Sequence, residues 1–395
     1  MIKFIHAGDV HLGNPFTGLS QNLNSDFQNK IQEATYQALD HLVETAIDQD
    51  VDLVLFPGDL FHGSDNSALI QDRLNQVLRR LDQAEIWVAV SFGNHDFSQS
   101  SLAHPLWPDH VLVFGEAVET KTVTLKNGQK VALTGFSYGD RQHNHSELSE
   151  FPYKDQTVDY HLGLYHGVVG QDGEAYAAFN LNEMVAKGYD YWALGHIHQR
   201  EILHENPVIA YSGNIQGLNR TEAGVKGFYL VSDTEGLELK PEFYPAGPVL
   251  WQSIRIANCP DFATLQDILT DHHFNQPTLL TIQLTETVGE ELLANDEAGL
   301  LVEKLQGQRA SQAQYWPIRV EIKADQKDHG PNLPLPAGVD FHEIINQVVQ
   351  PGVVGEWLSD QAPAFVRDYF YSEVGQADLA DRLAKILARG NDHED

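Results

Sequence analysis

The chain predicts an α/β fold. A two-sheet α/β sandwich is expected over residues 1–245, followed by a smaller α+β module and a helical C-terminal segment. Three observations carry this expectation. The first half alternates short apolar runs with amphipathic stretches at helical spacing. From about residue 111, short strand-like runs follow one another with turn signals between them. The strings that carry chemistry fall just past the C-terminal ends of predicted strands, where the loops of an α/β sheet converge to build sites.

Taken in order, 3–7 is a short apolar run ending at Asp9-Val10-His11. Residues 25–49 place Phe27, Ile31, Ala34, Ala38, Leu42 and Ala46 at helical spacing, with Ser25 or Asp26 as the cap. The apolar run 51–56 is a buried strand ending at Gly58-Asp59, and 67–81 is a second helix. A strand over 86–91 ends at Gly93-Asn94-His95-Asp96. Strands over 111–114, 120–125 and 130–135 follow, the last two joined by a hairpin turn at Lys126-Asn127-Gly128-Gln129. The strand 160–165 ends at His166-Gly167. Helix 181–187 leads to strand 189–194, which ends at Gly195-His196-Ile197-His198. Strands over 208–212, 227–232 and 237–244 complete the sandwich. Pro245-Ala246-Gly247-Pro248 is read as a linker. Strand 249–256, helix 261–273, strand 278–286, helix 296–306 and strand 317–324 make a β-α-β-α-β module over 246–326. A Pro/Gly-containing linker over 327–339 leads into a helical segment over 340–395. There Phe365, Val366, Tyr369 and Phe370 form one apolar cluster, and Leu379, Leu383, Ile386 and Leu387 form another.

The bulk numbers bound the function. A chain of 395 residues exceeds what one core usually organises. No apolar run is long enough for a transmembrane helix, and 1–6 run directly into a strand pattern without a signal-peptide core, so a cytoplasmic protein with no membrane partner is expected. The single cysteine, Cys259, excludes an internal disulfide framework. A net charge of −31 counts against a basic nucleic-acid-binding surface. Two divalent cations would reverse that sign locally, and charges beyond about 8 Å are largely screened.

Each string is weak alone, because a lone histidine is more often packed or solvated than a ligand. The ordered set is what points to metal. Asp9, His11, Asp59, Asn94, His166, His196 and His198 supply two carboxylates, one amide oxygen and four imidazoles. Hard oxygens mixed with imidazole suit Mn²⁺, Fe²⁺ or Zn²⁺ rather than Ca²⁺. The set is too large for one tetrahedral zinc and right for two metals about 3.5–4 Å apart, a recurring device for phosphate-ester hydrolysis.

The order D-x-H, G-D, G-N-H-D, H, G-H-x-H resembles that of the calcineurin-like metallophosphoesterases. Gly58-Asp59-Leu60-Phe61-His62 is narrower and resembles the SbcD/YhaO-type DNA repair exonucleases. So does the stretch Ser212-Gly213-Asn214-Ile215-Gln216-Gly217, with Arg220, Glu222, Gly224 and Lys226-Gly227-Phe228. The resemblance covers 1–245 and makes 246–326 a capping domain by position. It implies that Asp9, His11, Asp59 and His198 hold one metal and that Asp59, Asn94, His166 and His196 hold the other, with Asp59 bridging. It implies that His95 meets the scissile phosphate and helps the leaving oxygen depart, that His62 is a second phosphate contact, and that Asp96 orients the His95 ring. The implied function is two-metal hydrolysis of DNA phosphodiester bonds by a metal-bound water, with two divalent ions (Mn²⁺ ahead of Fe²⁺ or Zn²⁺). The implied partners are DNA and an SMC-like coiled-coil ATPase of the SbcC type; a homodimer is a further expectation. Two rivals stand beside it: a phosphoesterase acting on cyclic nucleotides or phosphoproteins, and a non-catalytic scaffold for DNA ends or the ATPase.

Overall fold

Alternation along the strands sets the layering. In β1 (Lys3–His6) Phe4 faces one way and Ile5 the other. In β2 (Leu53–Pro57) Leu53 and Leu55 go with Phe4, while Val54 and Phe56 go with Ile5. Successive strand side chains point to opposite faces, so a strand apolar on both must be covered on both. The structure is a computed structural model. It describes residues 1–324 except 17–18, 20–22, 64–66, 100–106, 235–237, 298 and 309–313, and beyond them Ser372, Gln376 and Leu379.

The first sheet adds β3 (Trp87–Ser91), β4 (Val111–Val113), β11 (Gly227–Thr234) and β12 (Glu238–Pro245), in the order β12-β11-β1-β2-β3-β4. Strands β1 to β4 run parallel, and β11 joins β1 antiparallel. The second sheet contains β5 (Glu119–Thr124), β6 (Lys130–Gly135), β7 (Tyr160–His166), β8 (Tyr191–Gly195), β9 (Glu201–Glu205) and β10 (Val208–Tyr211), in the order β5-β6-β7-β8-β10-β9. Between the sheets Phe4, Leu53 and Leu55 pack with Leu133, Leu162 and Leu164, all fully buried. Each such side chain is worth about 1.5–3 kcal/mol of burial.

Helices α1 (Ser25–Asp48) and α2 (Ala68–Gln83) cover the other face of the first sheet through Leu39, Leu42, Leu74, Leu78 and Leu81. The cap of α1 is Asn24, not Ser25 or Asp26. Its backbone is extended and its side-chain oxygen accepts from the Phe27 N–H at 2.8 Å, whereas Ser25 and Asp26 are already helical. A cap must precede the first helical residue. The outer face of the second sheet carries an aromatic cluster of Phe136, Tyr138, Phe151, Tyr165 and Trp192, joined by Met184 of α3 (Leu181–Ala186). The two-sheet α/β sandwich expected from the sequence is the observed architecture.

A third sheet, β13 (Leu250–Cys259), β14 (Thr278–Val288) and β15 (Tyr315–Ala324), carries α4 (Phe262–Asp271). The single helix expected over 296–306 is two, α5 (Glu290–Glu297) and α6 (Leu301–Gly307). The break follows from Gly299 and Leu300, whose N–H groups turn back to the carbonyls of Asp296 and Asn295. Phe27 and Ile31 of α1 pack with Val249, Trp251, Leu279 and Trp316. The junction before β13 is tied down. The N–H groups of Ala246 and Gly247 both donate to the Lys226 carbonyl, at 2.9 and 3.2 Å.

Residues Met1–Ile322 cluster as one unit and Lys323–Asp395 as a second. In the second, the Gln376 N–H donates to the Ser372 carbonyl at 3.0 Å. The linker expected over 327–339 and most of the segment 340–395 lie outside the described residues. Among the described residues no helix is long and apolar enough to cross a membrane.

Candidate metal centre

The loops after β1, β2, β3, β7 and β8 meet at one edge of the sandwich, and each delivers one of the strings singled out in the sequence. The backbone there is bent. Asp9, His11, Asp59 and His196 all have positive φ, at 52, 49, 52 and 96°. A non-glycine residue in that region costs about 1–3 kcal/mol, and such strain collects at functional sites. Space is equally restricted. A Cβ on Gly58, itself at φ +95°, would lie 2.1 Å from His166 Nδ1. One on Gly93 would lie 2.4 Å from Asp59 Oδ1 and 2.6 Å from His166 Nε2. These glycines let two loops and the His166 ring share one volume.

Asp59 stands at the middle. Its Oδ2 lies 3.6 Å from His11 Nε2 and 3.6 Å from His166 Nε2, and its Oδ1 accepts the His95 N–H at 2.9 Å. On one side His11 Nε2 and His198 Nε2 face each other at 3.0 Å, with Asp9 beside them. On the other side Asn94 Oδ1 lies 3.1 Å from His166 Nε2 and 3.0 Å from His196 Nδ1. Asp9 also groups with Asp59 and His166, so both carboxylates lie between the two sets. Its oxygens accept the His196 N–H at 2.9 and 3.1 Å.

Outer partners fix the tautomers. His166 Nδ1 donates to the Pro57 carbonyl at 3.0 Å, which leaves the Nε2 lone pair turned inward. His198 Nδ1 meets Glu222 Oε1 at 3.0 Å with the same result. Glu222 is held in turn by the Leu218 N–H and by the side chains of Asn214 and Asn219. Its burial disfavours charge, but the His198 contact outweighs that and holds its pKa below the usual value.

The titration behaviour reports a deficit of positive charge. Burial, then the charges of Asp96 and Asp9, push Asp59 well above the usual carboxylate range. Burial raises Asp9 to about 6, against the opposing pull of His198. Burial, then neighbouring imidazoles, holds His11 and His166 well below the ordinary histidine value, and His196 falls to about 4 for the same reasons. Of the four imidazoles only His198 moves the other way: burial lowers its pKa, but the Glu222 contact outweighs that and raises it above the ordinary value, while the other three resist protonating beside acids that resist ionising. Two imidazole nitrogens 3.0 Å apart share one proton at most; two lone pairs directed at a cation is the alternative. Donor atoms each about 2.1 Å from one ion lie roughly 3–3.6 Å apart, and the separations around Asp59 fall in that range. The residues present fit two divalent cations.

All seven predicted metal ligands converge, and His62 and His95 join them. The His62 and His95 rings stack at 5.2 Å, and His11, His62 and His95 form a third close group. Asp96 is a correction. It does not orient the His95 ring. Its oxygens accept the N–H groups of Gly93 at 2.7 Å and Phe61 at 3.0 Å, while His95 Nδ1 meets the His62 carbonyl at 3.0 Å. The turn at Gly93-Asn94-His95 folds the Asp96 carboxylate back on to backbone donors, so it holds the loop and not the ring.

Residues 2–200 match the calcineurin-like phosphoesterases. YhaO of Bacillus subtilis, an uncharacterised metallophosphoesterase, is 32% identical over 357 residues, 87% of this chain and 87% of that one. The chain belongs to the calcineurin-like phosphoesterases. It is thus a metal-dependent phosphoester hydrolase, and its clustered Asp and His groups serve two divalent metals. The DNA double-strand break repair protein Mre11 of Methanocaldococcus jannaschii is 27% identical over 257 residues, 60% of this chain and 64% of that protein. A solved dimetal phosphatase from Danio rerio aligns with 62% of this chain and 99% of its own at 12% identity and a TM-score of 0.36, too distant to carry an argument.

Proposed function

We propose that this calcineurin-like phosphoesterase is a DNA phosphodiesterase, an exonuclease acting in DNA repair in the cytoplasm beside an SMC-like coiled-coil ATPase. Similarity to YhaO and to the Mre11 repair proteins supports the substrate class. The observation that carries the chemistry is the position of Asp59 Oδ2, equidistant at 3.6 Å from an imidazole of each set. It supports Asp59 as the shared ligand of two ions, preferably Mn²⁺. Asp9, His11 and His198 complete one site, and Asn94, His166 and His196 the other. Residues 1–245 are then the catalytic domain, 246–326 the cap, 327–339 a linker and 340–395 the docking segment.

When bound, the ions supply a nucleophile from water near neutral pH and offset the charge of the phosphate oxygens. The chain's own residues do the rest. His95 is fixed twice, by its N–H on Asp59 and by its ring Nδ1 on the His62 carbonyl, which leaves Nε2 to meet the phosphate. Burial lowers its pKa, making the imidazolium a stronger acid, and it gives its Nε2 proton to the departing oxygen. Asn14 Nδ2 donates to His62 Nδ1 at 2.9 Å, so His62 carries its proton on Nε2 as a donor to a phosphate oxygen. Glu222 and Pro57 keep His198 and His166 in the tautomer that leaves Nε2 bare.

The test uses the full chain with Mn²⁺ on end-labelled linear DNA, a small phosphodiester, a cyclic nucleotide and a phosphopeptide. Release of nucleotides from the DNA end is expected. Hydrolysis of the small diester with none of DNA, with or without an ATPase partner, would overturn the nuclease reading in favour of another phosphoesterase.

A further inference from the structure

Beside the metal-ligand cluster lies a cleft of about 490 Å³ that the proposed mechanism leaves unused. His198 and Glu222 form the wall it shares with the cluster. Arg200, Phe243 and Lys226 are among the residues that line the rest. The volume falls within the usual range for a small-molecule site.

Its charge is the unusual feature. Acidic residues number 56 against 25 basic ones, and the well-placed cations elsewhere are tied to carboxylates: Arg73 to Glu33, Arg80 to Asp40, Lys154 to Asp190. Among the described residues neither Arg200 nor Lys226 has a carboxylate within ion-pair distance. The Arg200 guanidinium sits over Phe243 instead, its Cζ 3.6 Å from the ring centroid. Lys226 Nζ donates to the His198 carbonyl at 2.8 Å. Two cations without a paired carboxylate therefore open on one cleft, Lys226 anchored to the backbone of a predicted metal ligand and near the charges of Glu222 and Asp9, Arg200 resting on the Phe243 ring. The cleft wall also contains Asn214, fully buried, whose Nδ2 serves Glu222 while its Oδ1 has no donor.

We propose that this cleft holds the nucleotide unit next to the scissile phosphate, with Lys226 facing its phosphate and the Arg200–Phe243 pair giving its base a surface to stack on. A guanidinium plane on an aromatic ring offers its outer face to a base without reading its sequence. A half-buried ammonium such as that of Lys226 takes a phosphate as a point charge. The proposal rests on the DNA reading of the neighbouring site and explains how an acidic protein discriminates a polynucleotide from a minimal diester.

The test compares Arg200→Ala, Arg200→Lys and Phe243→Leu with the parent protein on a short oligonucleotide and on a small aryl phosphodiester. Arg200 is exposed, so its loss leaves the fold in place. Arg200→Ala and Phe243→Leu should each raise KM for the oligonucleotide about tenfold more than KM for the small diester. Arg200→Lys, which keeps charge but not the plane, should recover part of that difference. Oligonucleotide cleavage by the parent with unchanged KM in the variants overturns the cleft and leaves the nuclease reading standing. Equal losses on both substrates also overturn it, because they mark a structural role. A parent protein that cleaves the small diester and no oligonucleotide overturns both.

Discussion

At the scale of single residues, Asp59 and His95 separate holding metal from doing chemistry. Asp59 Oδ2 serves both sets, and its neutral isostere keeps the volume but gives up the charge. Asp59→Asn should bring metal below two ions per chain by elemental analysis and abolish phosphodiester hydrolysis, with an unchanged circular dichroism spectrum. Full occupancy and activity in that variant would contradict a shared ligand. His95 touches Asp59 only through its backbone N–H, which any residue supplies. His95→Ala should therefore keep both metals while hydrolysis falls by about 10²-fold or more. Metal loss as complete as in Asp59→Asn would make His95 a ligand instead. The residues of the centre were legible from their order along the chain, because two carboxylates, an amide and a run of histidines at strand ends have few other uses. Glu222 was not legible as a partner of His198. It lies 24 positions away and meets the ring only because β10 and the following loop return to the same edge. The role of Asp96 was misread for a related reason: adjacency to His95 in sequence says nothing about which way a tight turn sends a carboxylate.

At the scale of elements, the central strands β1, β2 and β3 were legible as apolar runs covered on both faces, and the half-exposed edge strand β5 was legible by the hairpin turn that follows it. Strand β9, Glu-Ile-Leu-His-Glu, was missed because it is a partly exposed edge strand without a buried face. The helix break at Gly299 was missed because 296–306 keeps helical spacing across it. What ties the two sheets together at the metal edge is also a side chain that composition hides. His6 of β1 is fully buried, with Nδ1 2.9 Å from the Tyr191 hydroxyl and Nε2 3.0 Å from the Leu194 carbonyl of β8. Burial lowers its pKa to about 3, against the partial compensation of the Leu194 contact. Its folded pKa is below the unfolded one, so between about pH 3 and 6.5 the unfolded chain holds more protons. Stability from this group is present above about 6.5 and falls with pH through that window, by roughly 1.4 kcal/mol per pH unit as an upper bound. His6→Gln can reproduce both hydrogen bonds without a titrating group. Its acid unfolding midpoint should move to lower pH than that of the parent. An unchanged midpoint would mean that His6 does not govern the acid limb.

At the scale of the whole molecule, a net charge of −31 sets how DNA can be approached. Two divalent ions bring four positive charges, of which Asp9 and Asp59 cancel two, so attraction is confined to the metal edge and to the cations beside it. Binding of duplex DNA by the chain alone should be weak, should fall steeply as salt rises, and should drop further when the metals are chelated. Anisotropy titrations across salt, with and without chelator, measure both effects; tight binding insensitive to salt would contradict this account. Weak binding by the chain alone would leave delivery of DNA to another surface, the role proposed for the ATPase partner. All seven proposed metal ligands lie between Asp9 and His198, and the first compact unit ends at Ile322. A chain ending at Gly338 should therefore retain two metals and its rate on a small diester. If the apolar positions Phe365, Val366, Tyr369, Phe370, Leu379, Leu383, Ile386 and Leu387 form the dock, the same shortened chain should no longer co-purify with the ATPase. Co-purification at the full-length yield would remove that segment from the interface and assign its apolar residues to packing within their own unit.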